Sequence, residues 1–248
     1  MPDSPLLPRP LESALFAVPV YAATTNSAFD VSRVVEAGRL LSDGLIVVRA
    51  PAAATHTIHE LERHGGLLCD VLQTFTKQVS CDPDAVAVHH GGFKTRIASG
   101  ADSEALYALG HAAFADFKGH WHADSRLPTH LADLLYARWS ANLARDETGA
   151  TKVLMAEKSG SVIGFLALER SGEARWRVPL TCVAPRNRGL GILKAMIDIA
   201  CADLARSSGG RIDYETQITN EAALRAVSRS GFEPGSARLT FHLWVGGE

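Results

Sequence analysis

The last third of the chain carries a clear alternation of apolar and polar positions. Leu190, Leu193, Ile197, Ala200 and Leu204 fall at helical spacing and share one face, which predicts an amphipathic helix. Ser207-Ser208-Gly209-Gly210 ends it. A strand is predicted from Arg211 to Gln217, then a helix opening at Asn220 and stopping near Ser230-Gly231. The segment Arg238 to Trp244 places Leu239, Phe241 and Leu243 on one face, the pattern of a half-buried strand. Upstream, the run Val162 to Leu168 predicts a strand. It pairs across Arg170-Ser171-Gly172 with a second apolar strand, which ends at Val183. Pro179 inside that second strand implies an edge or a bulge, because proline cannot donate to the ladder. The order is strand, strand, turn, helix, strand, helix, strand.

The first third echoes this order. Gly44 to Val48 matches Gly210 to Tyr214, His64-Gly65-Gly66 matches Ser230-Gly231-Phe232, and Thr74-Phe75 matches Thr240-Phe241, all at an offset of 166 residues. Val18-Pro19-Val20 echoes Val178-Pro179-Leu180, and residues 30 to 42 predict the matching helix. About six residues are missing between that strand and its helix, where Arg186 to Gly191 would stand. The reading is a short flexible leader over residues 1–12, a degenerate half-copy over 13–90 and a complete unit over 93–248, set against chance similarity between two strand-helix-strand units.

The turn Arg186-Asn187-Arg188-Gly189-Leu190-Gly191 joins a strand to a helix. Backbone N–H groups at such a junction converge on one spot, the helix dipole favours negative charge there, and glycine lets the backbone approach an anion. The turn lacks the Gly-Lys-Ser/Thr ending of a P-loop and the third glycine of a dinucleotide fingerprint. By itself it is an anion cradle or an ordinary turn. Composition narrows the partners. The chain has 248 residues, 46% hydrophobic and 21% charged, with a net charge of −2. These are values of a globular protein and give no reason to expect nucleic acid. No apolar run reaches the ~20 residues of a membrane helix, and the N-terminus has no secretion signal. Cys69, Cys81, Cys182 and Cys201 have no metal-ligand spacing, so free thiols and a cytoplasmic location are expected.

Arg186-x-x-Gly189-x-Gly191 after a strand, followed by a strand and by Asn220 opening a helix that ends in Ser230-Gly231-Phe232, resembles the GNAT superfamily of acyl-CoA N-acyltransferases over roughly residues 93 to 248. The resemblance implies an α/β (α+β) fold: a mixed, mostly antiparallel sheet with splayed central strands, here preceded by a smaller degenerate half of the same kind. It implies acetyl-CoA or another acyl-CoA as co-substrate. The pyrophosphate would be held by Val183, Arg186, Asn187, Arg188, Gly189, Leu190, Gly191 and Ile192, and the pantetheine would lie between splayed strands. Asn220 matches an asparagine that contacts the cofactor arm, and it also suits a helix N-cap. The family commonly places a tyrosine seven residues after that asparagine to protonate the departing thiolate. Here the position is Val227, leaving Tyr214 and Ser228 as stand-ins or a thiolate that leaves unaided.

Between the halves lies Phe117-Lys118-Gly119-His120-Trp121-His122-Ala123-Asp124-Ser125-Arg126. It follows a helix predicted from Asp102 to Phe117 and precedes another capped by Thr129. A short loop with these side chains is a candidate binding surface. Three ligands, His120, His122 and Asp124, from one tight loop with no fourth do not make a metal site, and no metal is expected. The loop, with Tyr136, Trp139 and Asn142, resembles the GNAT branch that acylates nucleotide-linked amino sugars, of the dTDP-4-amino-4,6-dideoxygalactose acetyltransferase type. Trp121, Arg126, Tyr136, Trp139 and Asn142 are the acceptor-binding candidates.

In direct acyl transfer a neutral amine attacks the thioester in a ternary complex, so a base must take its proton. His120, His122, Asp124 and Glu215 are the candidates, with histidine favoured because it titrates near neutrality. A backbone N–H near Cys182 or Val183 would stabilise the oxyanion. A small-molecule amine is the expected partner and a homodimer is possible. Other acceptors (a polyamine, an antibiotic amine, an amino acid, a protein amine) and a non-catalytic acyl-CoA-binding module remain open.

Overall fold

The structure, a computed structural model, describes residues 4–82, 92–146, 148–207 and 209–246. The chain order is β1 (Leu7–Pro8), α1 (Pro10–Phe16), β2 (Val20–Thr24), α2 (Ala28–Arg39), β3 (Asp43–Pro51), α3 (Thr55–Arg63), β4 (Leu67–Val79), β5 (Lys94–Ile97), α4 (Ser103–Phe114), α5 (His120–Ala123), α6 (Thr129–Leu143), β6 (Thr151–Lys158), β7 (Ser161–Gly172), β8 (Arg175–Val178), β9 (Thr181–Val183), α7 (Ile192–Ser207), β10 (Gly210–Gln217), α8 (Glu221–Arg229) and β11 (Glu233–Gly246). Contacts divide it into two compact units. One contains Met1–Gln73, Lys118–Leu135 and Ser236–Glu248, and the other Thr74–Phe117 and Tyr136–Gly235.

In the first unit, β2 lies parallel to β3 with α2 as the crossover, and β1 flanks β2 antiparallel. The other edge of β3 is filled by the second half of β11, antiparallel from Arg238↔Pro51 to Gly246↔Asp43. Val31 and Val34 of α2, Ile46 and Val48 of β3, Leu61 of α3, and Phe241 and Leu243 of β11 form its core. The alternation of Leu239, Phe241 and Leu243 thus buries one face of a strand, as its period requires.

The second unit carries β5, β6, β7 and β8 as an antiparallel run, with β10 parallel to β8. α7 is its crossover helix. Met196, Ile197, Ala200, Cys201 and Leu204 of α7 pack on Leu166 of β7, Ile212 and Tyr214 of β10, and Val227 and Phe232.

Several expectations change. The strand containing Pro179 is two strands. β8 ends at Val178, and β9 pairs with β7 alone, Cys182 opposite Phe165 and Val183 opposite Gly164. The break falls at the residue that cannot donate a ladder hydrogen bond. The helix expected from Asp102 to Phe117 is α4, which ends at Phe114 after a short 3₁₀ turn at Gly100–Asp102. Within the stretch read as a leader, Leu7–Pro8 pairs with β2 and Pro10 opens α1. Leader residues 1–3, the boundary near residue 90 and Ser208 lie outside the described residues.

The units also do not follow 13–90 and 93–248. The second half of β11 completes the first unit, while Thr74 to Val79 of β4 belong to the second. The 166-residue offset nevertheless carries over to backbone geometry. Gly65 and Gly231 have φ +78° and +77° after α3 and α8. Gly66 N–H bonds to Leu61 O, as Phe232 N–H bonds to Val227 O. Gly44 and Gly210 both have positive φ.

Candidate functional site

The turn before α7 has the form of an open nest. Gly189 and Gly191 have φ +76° and +74°, conformations that L side chains rarely adopt, and a Cβ built on either meets no heavy atom within 4 Å. Glycine is therefore required here by the backbone, and the space in front of the turn is open. Among the described residues, the N–H groups of Gly189, Leu190 and Gly191 have no backbone partner. The first-turn N–H groups of α7 add to them, since a helix leaves these without intrahelical acceptors. Arg186 and Leu190 are exposed. Arg188 is tethered, its guanidinium donating to Ala113 O at the end of α4. Asn187 Oδ1 is buried without a hydrogen-bond partner, a polar atom that calls for a water or a ligand donor.

The corresponding helix of the first unit shows what this turn lacks. The N-terminus of α2 is closed by a capping box: Ser27 Oγ accepts from Asp30 N–H, and Asp30 Oδ2 accepts from Ser27 N–H at 3.1 Å and from Asn26 N–H at 2.9 Å. Hydrogen bonds from Asn26 and Ser27 hold the Asp30 carboxyl below its usual range. That helix end carries its own anion. Among the described residues no side chain caps the start of α7, which leaves the turn before it open to an anion from outside.

Beside the turn, β9 parts from β10. The parallel pairing of β10 with β8 stops at Tyr214↔Val178, and β9 follows β7 instead. Ala184 N–H bonds to Ile163 O at 2.9 Å. Successive N–H groups of a strand point to opposite edges, so the Val183 N–H points away from β7, toward the side on which β9 has no strand partner among the described residues. Cys182 is buried, and burial, partly offset by Arg188, pushes its thiol far up. It is no thiolate nucleophile. Glu215, on the part of β10 beyond β8, accepts from Thr74 Oγ1 at 3.2 Å and is half-buried. Tyr214 is buried, edge-on to Phe232, with its phenol pushed up by burial.

Asn220 is the N-cap of α8, its Oδ1 accepting from Ala223 N–H at 3.2 Å. Its amide nitrogen has no partner among the described residues. Val227, where the family commonly has tyrosine, is fully buried in the core, at the position that Leu61 holds in the first unit. Ser228 is exposed.

The segment expected as a loop is different in kind. His120–Ala123 is one helical turn, and His120, Trp121 and Asp124 are buried, Asp124 to 1% exposure. His242 of β11, fully buried, ties them together. Its Nδ1 lies 3.0 Å from Asp124 Oδ2, and its Nε2 lies 2.8 Å from His120 Nδ1. Trp244 Nε1–H donates to the same carboxylate oxygen at 2.7 Å, while Arg126 N–H and Nε–H donate to Asp124 Oδ1. Burial raises the Asp124 carboxyl, but the hydrogen bonds from Trp244, His242 and Arg126 outweigh it and bring it down to about 2. His120 is held well below its ordinary value by burial and then by His242, Arg49, Arg9 and His122. His122 is spent on structure: its Nδ1 accepts from Gly119 N–H, and its Nε2 donates to Asp133 at 3.0 Å.

Residues 112–232 match the model of the Acetyltransferase (GNAT) family. The chain carries a GNAT acetyltransferase domain. Spore coat polysaccharide biosynthesis protein SpsD of Bacillus subtilis (strain 168) is 25% identical over 148 residues, covering 59% of this chain and 49% of SpsD. The chain thus spans about half the length of that curated relative. Among solved structures, a GCN5-related N-acetyltransferase from Sphaerobacter thermophilus superposes with TM-score 0.60 at 15% identity, over 88% of this chain and 66% of that one. A tandem GNAT protein from the clavulanic acid biosynthesis pathway gives 0.56 at 13% identity, over 94% and 77%. At these identities the likeness is one of fold.

The GNAT domain's remaining sequence candidates have plain positions. Tyr136 is a core residue, its ring 4.9 Å from Phe114 and edge-on to Phe117. Trp139 is half-buried and Asn142 exposed. Trp121 packs 5.3 Å from Phe16, and Arg126 stacks over Trp244. Sequence reasoning missed His242 and Trp244. Alternation along β11 puts His242 on the face opposite Phe241 and Leu243, the face expected to be polar, so spacing alone carried no signal that it is buried. Among the described residues, no group of three or more His, Cys, Asp or Glu side chains is placed to hold a metal ion, and no helix is long and apolar enough to cross a membrane.

Proposed function

We propose that the protein is an acyl-CoA-dependent N-acyltransferase that moves an acyl group, acetyl by preference, onto the primary amine of a small acceptor, a nucleotide-linked amino sugar. The observation that carries the reading is the open turn before α7, with two glycines at positive φ, free space where their Cβ atoms would stand, and N–H groups that have no backbone partner among the described residues. Its residues suit a pyrophosphate: Gly189, Leu190, Gly191 and Ile192 would offer N–H donors, and Arg186 a cation. The bound acyl-CoA supplies a thioester carbonyl activated toward amines. The Val183 N–H is the donor suited to the oxyanion. The amino-sugar class is supported by the similarity to SpsD, a polysaccharide biosynthesis protein by name.

The test is thiol release from acetyl-CoA with a panel of amines: dTDP-4-amino-4,6-dideoxygalactose, other nucleotide-linked amino sugars, polyamines and amino acids. Turnover with a nucleotide-linked amino sugar at a kcat/KM at least about tenfold above the polyamines is expected, a difference of ~1.4 kcal/mol in transition-state binding. Turnover confined to another amine would overturn the sugar assignment. Tight CoA binding with no turnover on any amine would make the chain a binding module.

A further inference from the structure

Tyr214 closes the paired stretch of β10. The parallel ladder between β10 and β8 starts at Arg211↔Arg175 and stops at Tyr214↔Val178, so Tyr214 stands where β9 parts from β10, within the second unit. Its ring packs in that unit's core with Ile212, Val227 and Phe232, edge-on to Phe232, and 3% of the residue is exposed. The hydroxyl has no hydrogen-bond partner among the described residues, and it is not one of the polar atoms sealed from solvent without a partner. A buried phenol therefore keeps one open end, and that end lacks the partner that buried polar groups ordinarily find. The Cys182 thiol is the titratable group whose charge acts on it, which sets the phenol within electrostatic reach of β9. Burial holds Cys182 as a thiol and Tyr214 as a phenol, so the oxygen keeps a hydrogen to donate.

We propose that the Tyr214 O–H is the hydrogen-bond donor to the thioester sulfur of the acyl-CoA, a catalytic residue that stabilises the thiolate as it leaves. The inference rests on the N-acyltransferase reading above. The oxygen and the sulfur of a thioester share one carbon. With the oxygen on the Val183 N–H, the sulfur stays close to β9, beside the strand end that carries Tyr214. In the step, the amine nitrogen's lone pair forms the C–N bond to the carbonyl carbon, and the π pair of the carbonyl moves onto oxygen. The nitrogen gives up one proton to water. The pair on oxygen then re-forms the carbonyl, and the C–S bond breaks with its pair leaving on sulfur. That sulfur accepts the hydrogen bond from Tyr214. The proton stays on the phenol throughout, because burial holds the phenol above its ordinary value, itself above the ~8.5 of a thiol. The thiolate is released as such and takes its proton from water. A donor aimed where charge develops acts most strongly in a site closed to water, and the buried ring of Tyr214 provides one without any group at Val227.

Free CoA tests the contact without any turnover. A donor to the sulfur favours the thiolate, so the thiol of bound CoA should ionise at a pH about one unit lower in the unmodified protein than in Tyr214→Phe. The ultraviolet absorbance of the thiolate follows that titration, and equal titrations in the two proteins would overturn the proposal. Turnover of acetyl-CoA with the best amine of the panel tests the role. Tyr214→Phe keeps the ring against Phe232 and removes only the hydroxyl, so the melting midpoint should not fall. Its kcat should drop about tenfold or more, the worth of a hydrogen bond to a charged group. CoA affinity by calorimetry at neutral pH should stay within about threefold. A lower kcat with an unshifted thiol titration would make Tyr214 a packing residue and overturn the proposal, as would an unchanged kcat. An unmodified protein that shows the shifted thiol but turns over no amine would defeat the acyltransferase reading and leave the contact with sulfur standing. Failure to bind CoA would remove both.

Discussion

At the scale of single residues, two backbone conformations and one side chain decide most of the site. Gly189 sits at φ +76° in open space. Gly189→Glu adds strain of about 1–2 kcal/mol and a negative charge where the pyrophosphate would sit. CoA affinity should fall by about tenfold or more in a calorimetric titration, and unchanged affinity would remove the turn from the cofactor site. Val227 is the residue whose meaning changed. Read in sequence, it is an absent acid. In the fold it is a fully buried core position beside Phe232, like Leu61 in the first unit. Val227→Tyr should therefore overpack the second unit at a cost of about 1–3 kcal/mol, lowering the melting midpoint without raising kcat. A stable variant with faster turnover would mean that the position opens onto the reacting thioester.

At the scale of elements, the short helix α5 and the strand β11 turn three ionisable side chains into one buried unit. Its pH dependence follows from the direction of each shift. His120 and His242 are held below the ordinary 6.5 in the folded chain. The folded state thus binds fewer protons than the unfolded one. The stability they confer is complete above about pH 6.5 and falls as the pH drops toward the lowered folded values, by at most about 1.4 kcal/mol per pH unit per histidine. Asp124, brought down to about 2, acts in a lower window: its contribution is present above its unfolded value of 3.8 and is lost as the pH falls toward about 2. Thermal melts should show a midpoint that declines between pH 6.5 and 5, with a shallower slope in His120→Gln. An identical slope in the variant would place the titrating groups elsewhere. The elements themselves were legible where periodicity was long. The face of α7, the alternation of β11 and the strand of β10 follow from apolar spacing alone. The split of β8 from β9 at Pro179 was half legible: proline marked an irregularity, but only pairing partners distinguish a bulge from two strands.

At the scale of the whole chain, each compact unit is completed by a strand segment from the other half of the sequence. Phe241 and Leu243 of β11 lie in the first unit's core. Burial of such side chains is worth roughly 1.5–3 kcal/mol each, against a typical domain stability of ~5–15 kcal/mol. A chain ended after Gly235 should lose the amide protection of β3 in hydrogen exchange, even though its first 235 residues include every other strand. Full protection of β3 in that truncation would show that β11 is dispensable to the first unit. The 166-residue offset, legible as a sequence echo, reappears in matched hydrogen bonds after α3 and α8. The asymmetry is also legible in part. The missing residues before α2 removed the glycine turn, but the Asp30 box that seals that helix end is a side-chain arrangement only the fold displays.

The sequence by itself determined the elements, the glycine turn with its required backbone conformations, and hence the family, because these depend on spacing within a short stretch of chain. The tertiary structure decided what long-range contact alone can decide. It made Val227 a core residue, moved the end of β11 into the first unit, and joined Asp124 to a histidine 118 residues away. Local spacing carries no information about such a partner, because the energy that places His242 comes from the burial of β11 against β3, not from its neighbours in sequence.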